Sequence, residues 1–89
     1  MKIIISSQAE KRLKKLPKID QIAVVQKIRS FKREREKLIP EKLHGYNNIF
    51  RVRVGDYRIV YQKTSDQIYI ILIGHRKDIY EVLQRLLRN

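Results

Sequence analysis

The sequence predicts an α+β domain in which helices pack on a mainly antiparallel sheet. Apolar residues before Pro40 recur at a helical spacing, whereas those after Gly45 alternate as they do in strands. The stretch Ile68–Ile73 is apolar on both faces, which is typical of a strand inside a sheet. A hydrophobic content of 43% in 89 residues is enough for one modest core, so we expect a single domain over residues 1–89.

The chain is predicted to begin with a strand and a short helix. Lys2–Ser6 is short and β-branched, which is typical of a strand. Ser7 and Glu10 have the spacing of a capping box, so Ser7 is expected to cap a helix that ends at Pro17. The apolar face of that helix would carry Ala9, Leu13 and Leu16.

A longer helix is expected from about Ile19 toward Leu38, closed by Pro40, so that the two helices form a hairpin. Its predicted apolar face consists of Ile22, Val25, Ile28 and Phe31. The segment Lys32–Lys37, KREREK, is interpreted either as a solvated helix end with mixed ion pairs or as an edge that contacts phosphates.

The second half is predicted to form a three-stranded antiparallel meander and a C-terminal helix. The strands are Ile49–Val54, Tyr57–Gln62 and Ile68–Ile73, joined by the turn Gly55-Asp56 and the polar loop Lys63–Gln67. Asp78 is expected to cap the last helix. The apolar side of that helix would carry Ile79, Val82, Leu83 and Leu86.

Charge and composition narrow the classes of partner and chemistry. Lys and Arg number 21 against 9 acidic residues, a net charge of +12, so we expect an anionic partner, either nucleic acid or an acidic protein. The absence of cysteine excludes disulfides, thiol catalysis and cysteine-ligated zinc, and two histidines are too few for an all-histidine metal site. The N-terminal apolar run has only three isoleucines, too short for a signal peptide or a membrane span, so we expect a soluble cytoplasmic protein.

The predicted hairpin places three arginines on one face. If Gly55 and Asp56 form the turn, Arg53 lies opposite Arg58, and Arg51 shares their face. The other face is apolar and should meet the helices; it carries Phe50, Val52, Val54, Tyr57, Ile59 and Tyr61. Two arginines opposite each other repel, and an anion between them turns that cost into a gain. The alternative is a solvated face whose arginines point into water or pair with carboxylates.

A second cluster of polar residues follows the buried strand. Gly74 is followed by His75 and Arg76, and Tyr80 lies in the first turn of the predicted last helix. Histidine is the side-chain type commonly used for proton transfer near neutral pH, so this segment is a candidate catalytic rim beside the arginines. The alternatives are that His75 is a hydrogen-bonded surface residue and Tyr80 a packing aromatic. His44, before Gly45, is interpreted as structural.

These residues carry a family resemblance. The segment Lys42–Tyr61, KLHGYNNIFRVRVGDYRIVY, resembles the signature of the RelE/ParE toxin superfamily, and His75–Tyr80, HRKDIY, resembles the second signature of its RelE branch. The order of strand, helical hairpin, meander and helix is similar as well. The resemblance implies a RelE-like toxin of a type II toxin–antitoxin system, partnered by an acidic RelB-like antitoxin.

The resemblance also implies an activity, namely cleavage of mRNA in the ribosomal A site by attack of the ribose 2′-hydroxyl, without metal or cofactor. It implies that Arg58, Arg76 and Tyr80 are catalytic candidates and that Arg51 and Arg53 bind RNA phosphates, and His75 joins the catalytic candidates because of its side-chain type and position. The spacing from Arg76 to Tyr80 is shorter than in well-studied members. Those members can also carry lysines in place of Arg51 and Arg53, and arginine is a poor proton donor or acceptor.

Two other functions remain open from the sequence. One is a ParE-like poison of DNA gyrase on the same fold, which needs no RNA-cleaving site. The other is a module that binds RNA or the ribosome without cutting.

Overall fold

The structure is a computed structural model that describes residues 2–33, 41–43 and 45–88. In chain order the elements are β1 (Lys2–Ile5), α1 (Ser7–Lys15), α2 (Lys18–Arg33), β2 (Glu41–Lys42), β3 (Ile49–Val54), β4 (Tyr57–Lys63), β5 (Gln67–His75) and α3 (Ile79–Leu87). The α+β class and the order of the predicted elements are confirmed. Most of the KREREK segment, the predicted helix end near Leu38 and Pro40, and His44 lie outside the described residues.

Within the described residues, five strands form one sheet in the order β1-β5-β4-β3-β2. The meander β3-β4-β5 is antiparallel, as predicted, and β1 pairs in parallel with β5. The two-residue strand β2 pairs with β3 and was not predicted. Strand β5 lies between β1 and β4, and the helices on the two sides of the sheet cover its two apolar faces.

Helices cover both faces of the sheet. Helices α1 and α2 pack on the predicted apolar face of the hairpin, where Val52, Ile59 and Tyr61 meet Ala9 and Phe31. Helix α3 packs on the opposite face, in a second cluster of Ile49, Val60, Leu72, Ile79, Val82 and Leu83. Desolvation in the first cluster raises the pKa of the Tyr61 hydroxyl, which therefore belongs to the core and not to a polar site.

The buried face of α2 differs from the prediction at one position. Ile28 and Phe31 are buried, as expected, and Val25 is partly buried. Ile22 is 49% exposed, and Val24 takes its place in the core with no exposed surface. The buried face of α2 is therefore rotated about the helix axis relative to the predicted one. It is the side on which Val24, Ile28 and Phe31 follow one another at spacings of four and three residues.

The β3–β4 hairpin has the predicted register. Val54 pairs with Tyr57, Arg53 with Arg58 and Arg51 with Val60. Gly55, the first residue of the turn, has a φ of +59°, a left-handed conformation that favours glycine. The alternation of side chains along the strands, together with the position of Gly55 in the turn, therefore determines which face of the hairpin is polar and which is apolar.

A β-bulge interrupts the pairing of β4 with β5. Tyr61 pairs with Ile70 and Val60 with Leu72, so Ile71 has no partner on β4. The carbonyl of Ile71 instead accepts a hydrogen bond from the Ser6 hydroxyl at 2.7 Å. Beyond the bulge the alternation of β5 side chains is reversed, which changes the face on which its last residues lie.

Ser6, not Ser7, is the N-cap of α1, so the predicted cap is wrong by one residue. The Ser6 hydroxyl oxygen accepts a hydrogen bond from the Ala9 backbone N–H at 3.0 Å while its hydrogen goes to Ile71. Ser6 therefore lies between β1 and α1, caps the helix, and donates a hydrogen bond to the carbonyl oxygen of the bulged residue Ile71. The sequence pattern favoured Ser7 because a glutamate follows it at the capping-box spacing, and a long-range acceptor on β5 decided otherwise.

We expect Ser6→Ala to lower the free energy of unfolding by roughly 1–3 kcal/mol, because it removes a helix cap and leaves a carbonyl without its donor. Ser7→Ala is the matched control, since Ser7 is exposed and should change stability by less than about 0.5 kcal/mol. Urea unfolding of the two variants measures the difference. Equal losses of stability would contradict the role of Ser6 as the cap.

The last helix begins after Asp78, as predicted, but the Asp78 side chain makes no capping hydrogen bond. Its apolar side is buried at Ile79, Val82 and Leu83, whereas Leu86 is 37% exposed. In the described part of the chain, no helix is long and apolar enough to cross a membrane.

Candidate nucleic-acid-cleaving site

The three hairpin arginines lie on the face of the sheet that also carries α3, and we call this surface the arginine face (Arg51, Arg53 and Arg58). Arg53 and Arg58 are direct cross-strand neighbours, as predicted. Arg53 is exposed, Arg51 is partly buried, and Arg58 is only 9% exposed. Two like charges at one cross-strand position repel each other, and an anion bound between them would reduce that repulsion.

Arg58 is held by the turn that it follows. Its Nη1 donates to the carbonyl oxygen of Gly55 at 3.0 Å and to that of Tyr57 at 2.9 Å. Both of these acceptors are neutral carbonyls, so they fix the guanidinium in place without neutralising its positive charge. A buried, fixed cation of this kind is suited to an anionic group that binds against it.

Asp56 joins the hairpin turn to the segment after β5. The backbone N–H of Arg76 donates to the carbonyl oxygen of Asp56 at 2.8 Å. The Asp56 carboxylate lies 3.6 Å from Nε of Arg76. These contacts bring Arg76 to the end of the sheet where Arg58 is hydrogen-bonded to the turn. Arg58 belongs to the first of the two sequence signatures and Arg76 to the second.

Tyr80 extends the same surface from α3. Nη1 of Arg51 donates to the Tyr80 hydroxyl, and the Arg51 guanidinium carbon lies 5.1 Å from the centre of the Tyr80 ring. Tyr80 is also partly buried against the α3 core cluster. A hydroxyl that can give or accept a proton is therefore placed on the arginine face.

His75 is not on this face. It pairs with Tyr57, and its ring meets the Tyr57 ring edge-on with the centres 5.7 Å apart, on the side of the sheet that α1 and α2 cover. Its Nδ1 accepts from the backbone N–H of Lys77 at 3.2 Å. The β5 bulge explains this position, because strict alternation from Ile68 would have placed His75 among the arginines.

Gly74 takes the place on the arginine face that alternation would have given to His75. It pairs with Arg58, and a Cβ added to it would lie 2.9 Å from Cδ1 of Ile79. A side chain at this position would therefore require the buried Ile79 side chain to shift. Glycine allows Ile79, and with it the first turn of α3, to pack closely against the sheet beside the arginines.

Sequence reasoning missed two polar residues near the site. Asp56 was seen only as a turn residue, although its contact with Arg76 links the two halves. Arg12 of α1 brings Nη1 to 3.7 Å from the position of a Cβ on Gly74. Neither contact has a local sequence signal, because both depend on how distant elements pack.

A groove of about 340 Å³ lies between α1 and α3, beside this site. It is lined by Gln8, Arg12, Val82, Arg85 and Leu86. Two arginines and an exposed leucine make it suited to a partner that is both acidic and apolar.

A comparison with protein families matches residues 3–80 to a family described as the ParE toxin of the type II toxin–antitoxin system parDE. A curated relative, toxin RelE3 of Methanocaldococcus jannaschii, is 44% identical over 45 residues, which are 51% of this chain and 51% of the relative. In that comparison the chain spans about half the length of its relative.

Solved structures support the same assignment. The RelB–RelE complex of Methanococcus jannaschii is similar with a TM-score of 0.74 at 29% identity, covering 88% of this chain and 95% of that chain. The RelE–RelB complex of Pyrococcus horikoshii gives 0.70 at 29% identity, covering 84% and 93%. A mutant of E. coli RelE in the free state gives 0.73 over 97% of both chains at 20% identity, which shows the fold. The chain therefore belongs to the ParE toxin family of type II toxin–antitoxin systems, within the RelE/ParE superfamily, and has the RelE-like fold.

Proposed function

We propose that this protein is a ribosome-dependent endoribonuclease that cuts mRNA in the A site. The observation that carries the proposal is the convergence of Arg58 and Arg76 at the hairpin turn, with the Arg51–Tyr80 pair on the adjoining surface. Similarity to proteins named RelE supports the same function. Such a surface combines fixed positive charge, which stabilises a reacting phosphate, with a hydroxyl that can take part in one proton transfer.

The proposed reaction is a transesterification within the mRNA. The ribose 2′-oxygen forms a bond to the adjacent phosphorus, and the bond from phosphorus to the 5′-oxygen breaks. The products are a cyclic phosphate and a 5′-hydroxyl. One proton must leave the 2′-hydroxyl and one must reach the 5′-oxygen, and the phosphate carries extra negative charge in between.

The arginines and Tyr80 would divide this work. Arg58 and Arg76 would stabilise the charge on the phosphorane, a type of contribution worth about 10²–10³ in rate for one fixed donor. Arg53 and Arg51 would position the RNA backbone, since guanidinium groups bind phosphate oxygens through two donors. Tyr80 would donate a proton to the leaving 5′-oxygen, and a group of the ribosome would accept the proton of the 2′-hydroxyl. The orientation of His75 toward Tyr57 favours a supporting role for His75 at the end of β5.

We infer that the partner is an acidic, RelB-like antitoxin. A net charge of +12 and the complexes formed by similar toxins support this inference. The groove lined by Arg12, Arg85 and Leu86 is suited to bind a segment of the antitoxin that carries carboxylates and apolar side chains. An antitoxin that folds on this surface would neutralise the positive charge and restrict access to the arginine face.

The decisive experiment is primer extension on mRNA from a translation reaction that contains the purified chain. We expect cuts within codons at the A site, no cuts without ribosomes, and no cuts when the co-encoded antitoxin is added. The double variant Arg58→Ala with Arg76→Ala should give no cuts and should relieve growth arrest on expression. A double variant that cuts and arrests growth like the wild type would disprove this site.

Poisoning of DNA gyrase is the second candidate, because the matching family model is described by parDE. A gyrase supercoiling assay decides between them. Inhibition of supercoiling without mRNA cuts would establish the ParE-like function. Salt-sensitive binding to ribosomes without either effect would instead identify a non-cleaving binding module.

A further inference from the structure

The contact between Arg51 and Tyr80 joins a strand residue to a helix residue 29 positions later. Arg51 Nη1 donates to the Tyr80 hydroxyl, and the guanidinium carbon lies 5.1 Å from the ring centre. The same arginine therefore meets both the oxygen and the aromatic body of one tyrosine. This double contact is more restrictive than a single hydrogen bond at a surface.

The surroundings fix both partners. Arg51 pairs with Val60, which is fully buried, and Tyr80 follows Ile79, which is also fully buried. Both apolar residues belong to the core cluster beneath α3, and Tyr80 packs against that cluster. The backbones that carry Arg51 and Tyr80 are thus held relative to each other by packing, and the polar contact sets the orientation of the side chains.

The chemistry of arginine gives the contact a direction. A guanidinium group has donors and no acceptor, and it stays protonated at any physiological pH. The Tyr80 oxygen must therefore be the acceptor, and its own hydrogen has to point away from Arg51. The hydroxyl hydrogen of Tyr80 can therefore be donated to a group that binds on the arginine face.

We propose that Arg51 is a positioning residue for Tyr80, which holds the hydroxyl oxygen in place and directs its hydrogen toward the bound RNA. The catalytic meaning of this role rests on the proposed function, whereas the contact itself can be tested without it. Lysine at this position would retain a donor and the charge, but it lacks the planar group that lies over a ring. Arg51→Lys should therefore restore the effect of Arg51 only in part.

Nuclear magnetic resonance of the full chain, with tyrosines labelled with ¹³C at the phenolic carbon, tests the contact. Tyr80→Phe identifies the Tyr80 signal among the five tyrosines. We expect Arg51→Gln to shift that signal more than the other four, Arg51→Lys to shift it less, and Arg53→Gln, the matched control on the same strand, to leave it in place. An unchanged Tyr80 signal in Arg51→Gln would overturn the proposal.

Single-turnover cleavage on ribosomes tests the positioning role. If Arg51 acts through Tyr80, Arg51→Gln should lower the rate constant at least about 5-fold more in the wild type than in a Tyr80→Phe background. Equal effects in the two backgrounds would mean that Arg51 acts independently, and would reject the role. If the wild-type chain never cuts mRNA, the proposed function is rejected. The resonance experiment on the tyrosines would still show whether Arg51 and Tyr80 are in contact.

Discussion

Tyr80→Phe is expected to lower the rate constant of mRNA cleavage by roughly 100- to 10,000-fold, the range attributed to a positioned acid or base. The ring and its packing against the α3 cluster are retained, so the fold should be unaffected. Because the variant removes only an oxygen, the affinity for ribosomes should remain close to that of the wild type. Single-turnover primer extension, with ribosome binding measured in parallel, separates the two quantities.

Tyr69→Phe is the matched control for this prediction. Tyr69 lies on β5 opposite Gln62, toward the end of the strand that pairs with β1 and away from the hairpin turn. Its loss of a hydroxyl should leave the cleavage rate unchanged. If Tyr80→Phe cuts as fast as Tyr69→Phe, proton transfer must come from another group, and Tyr80 is then only a packing residue.

The arginine face could be predicted from the sequence because its determinants are local. Alternation assigns the side of each residue in a strand, and a two-residue turn fixes which residues face each other across the hairpin. With Gly55 at the turn, the Arg53–Arg58 pair follows at once, and the structure has that pair. The same reasoning gave the order of the elements, since each has its own period.

The rest of the site depends on events that leave no local pattern. One extra residue in β5, Ile71, moves His75 to the far side of the sheet and brings Gly74 beside Arg58. The compensating hydrogen bond comes from Ser6, which is 65 residues away. Periodicity within β5 cannot reveal a bulge whose stabilising partner lies at the other end of the chain. The contacts of Arg76 with Asp56 and of Arg51 with Tyr80 are hidden for the same reason.

Arg58→Met is expected to separate activity from stability. A buried guanidinium loses much of its hydration, and here it also faces Arg53 across the strands. Methionine fills a similar volume without charge, so the free energy of unfolding should stay within about 1 kcal/mol of the wild-type value or exceed it. Cleavage should fall about 100- to 1,000-fold, because a fixed cation for the phosphorane is lost.

Two further variants make this result interpretable. Lys63→Met removes one exposed positive charge from the other end of β4, so it controls for net charge, and it should change stability by less than about 0.5 kcal/mol. Arg58→Ala removes the packed side-chain stem as well, and should cost about 2 kcal/mol more than Arg58→Met.

The pattern of losses identifies what Arg58 does. If Arg58→Met is as unstable as Arg58→Ala, the hydrogen bonds to Gly55 and Tyr57 are what the fold needs, and Arg58 is a structural clamp. If Arg58→Met is stable and still cuts, the phosphate is stabilised elsewhere. A stable, inactive Arg58→Met would show that the reaction, and not the fold, requires a buried cation at this position.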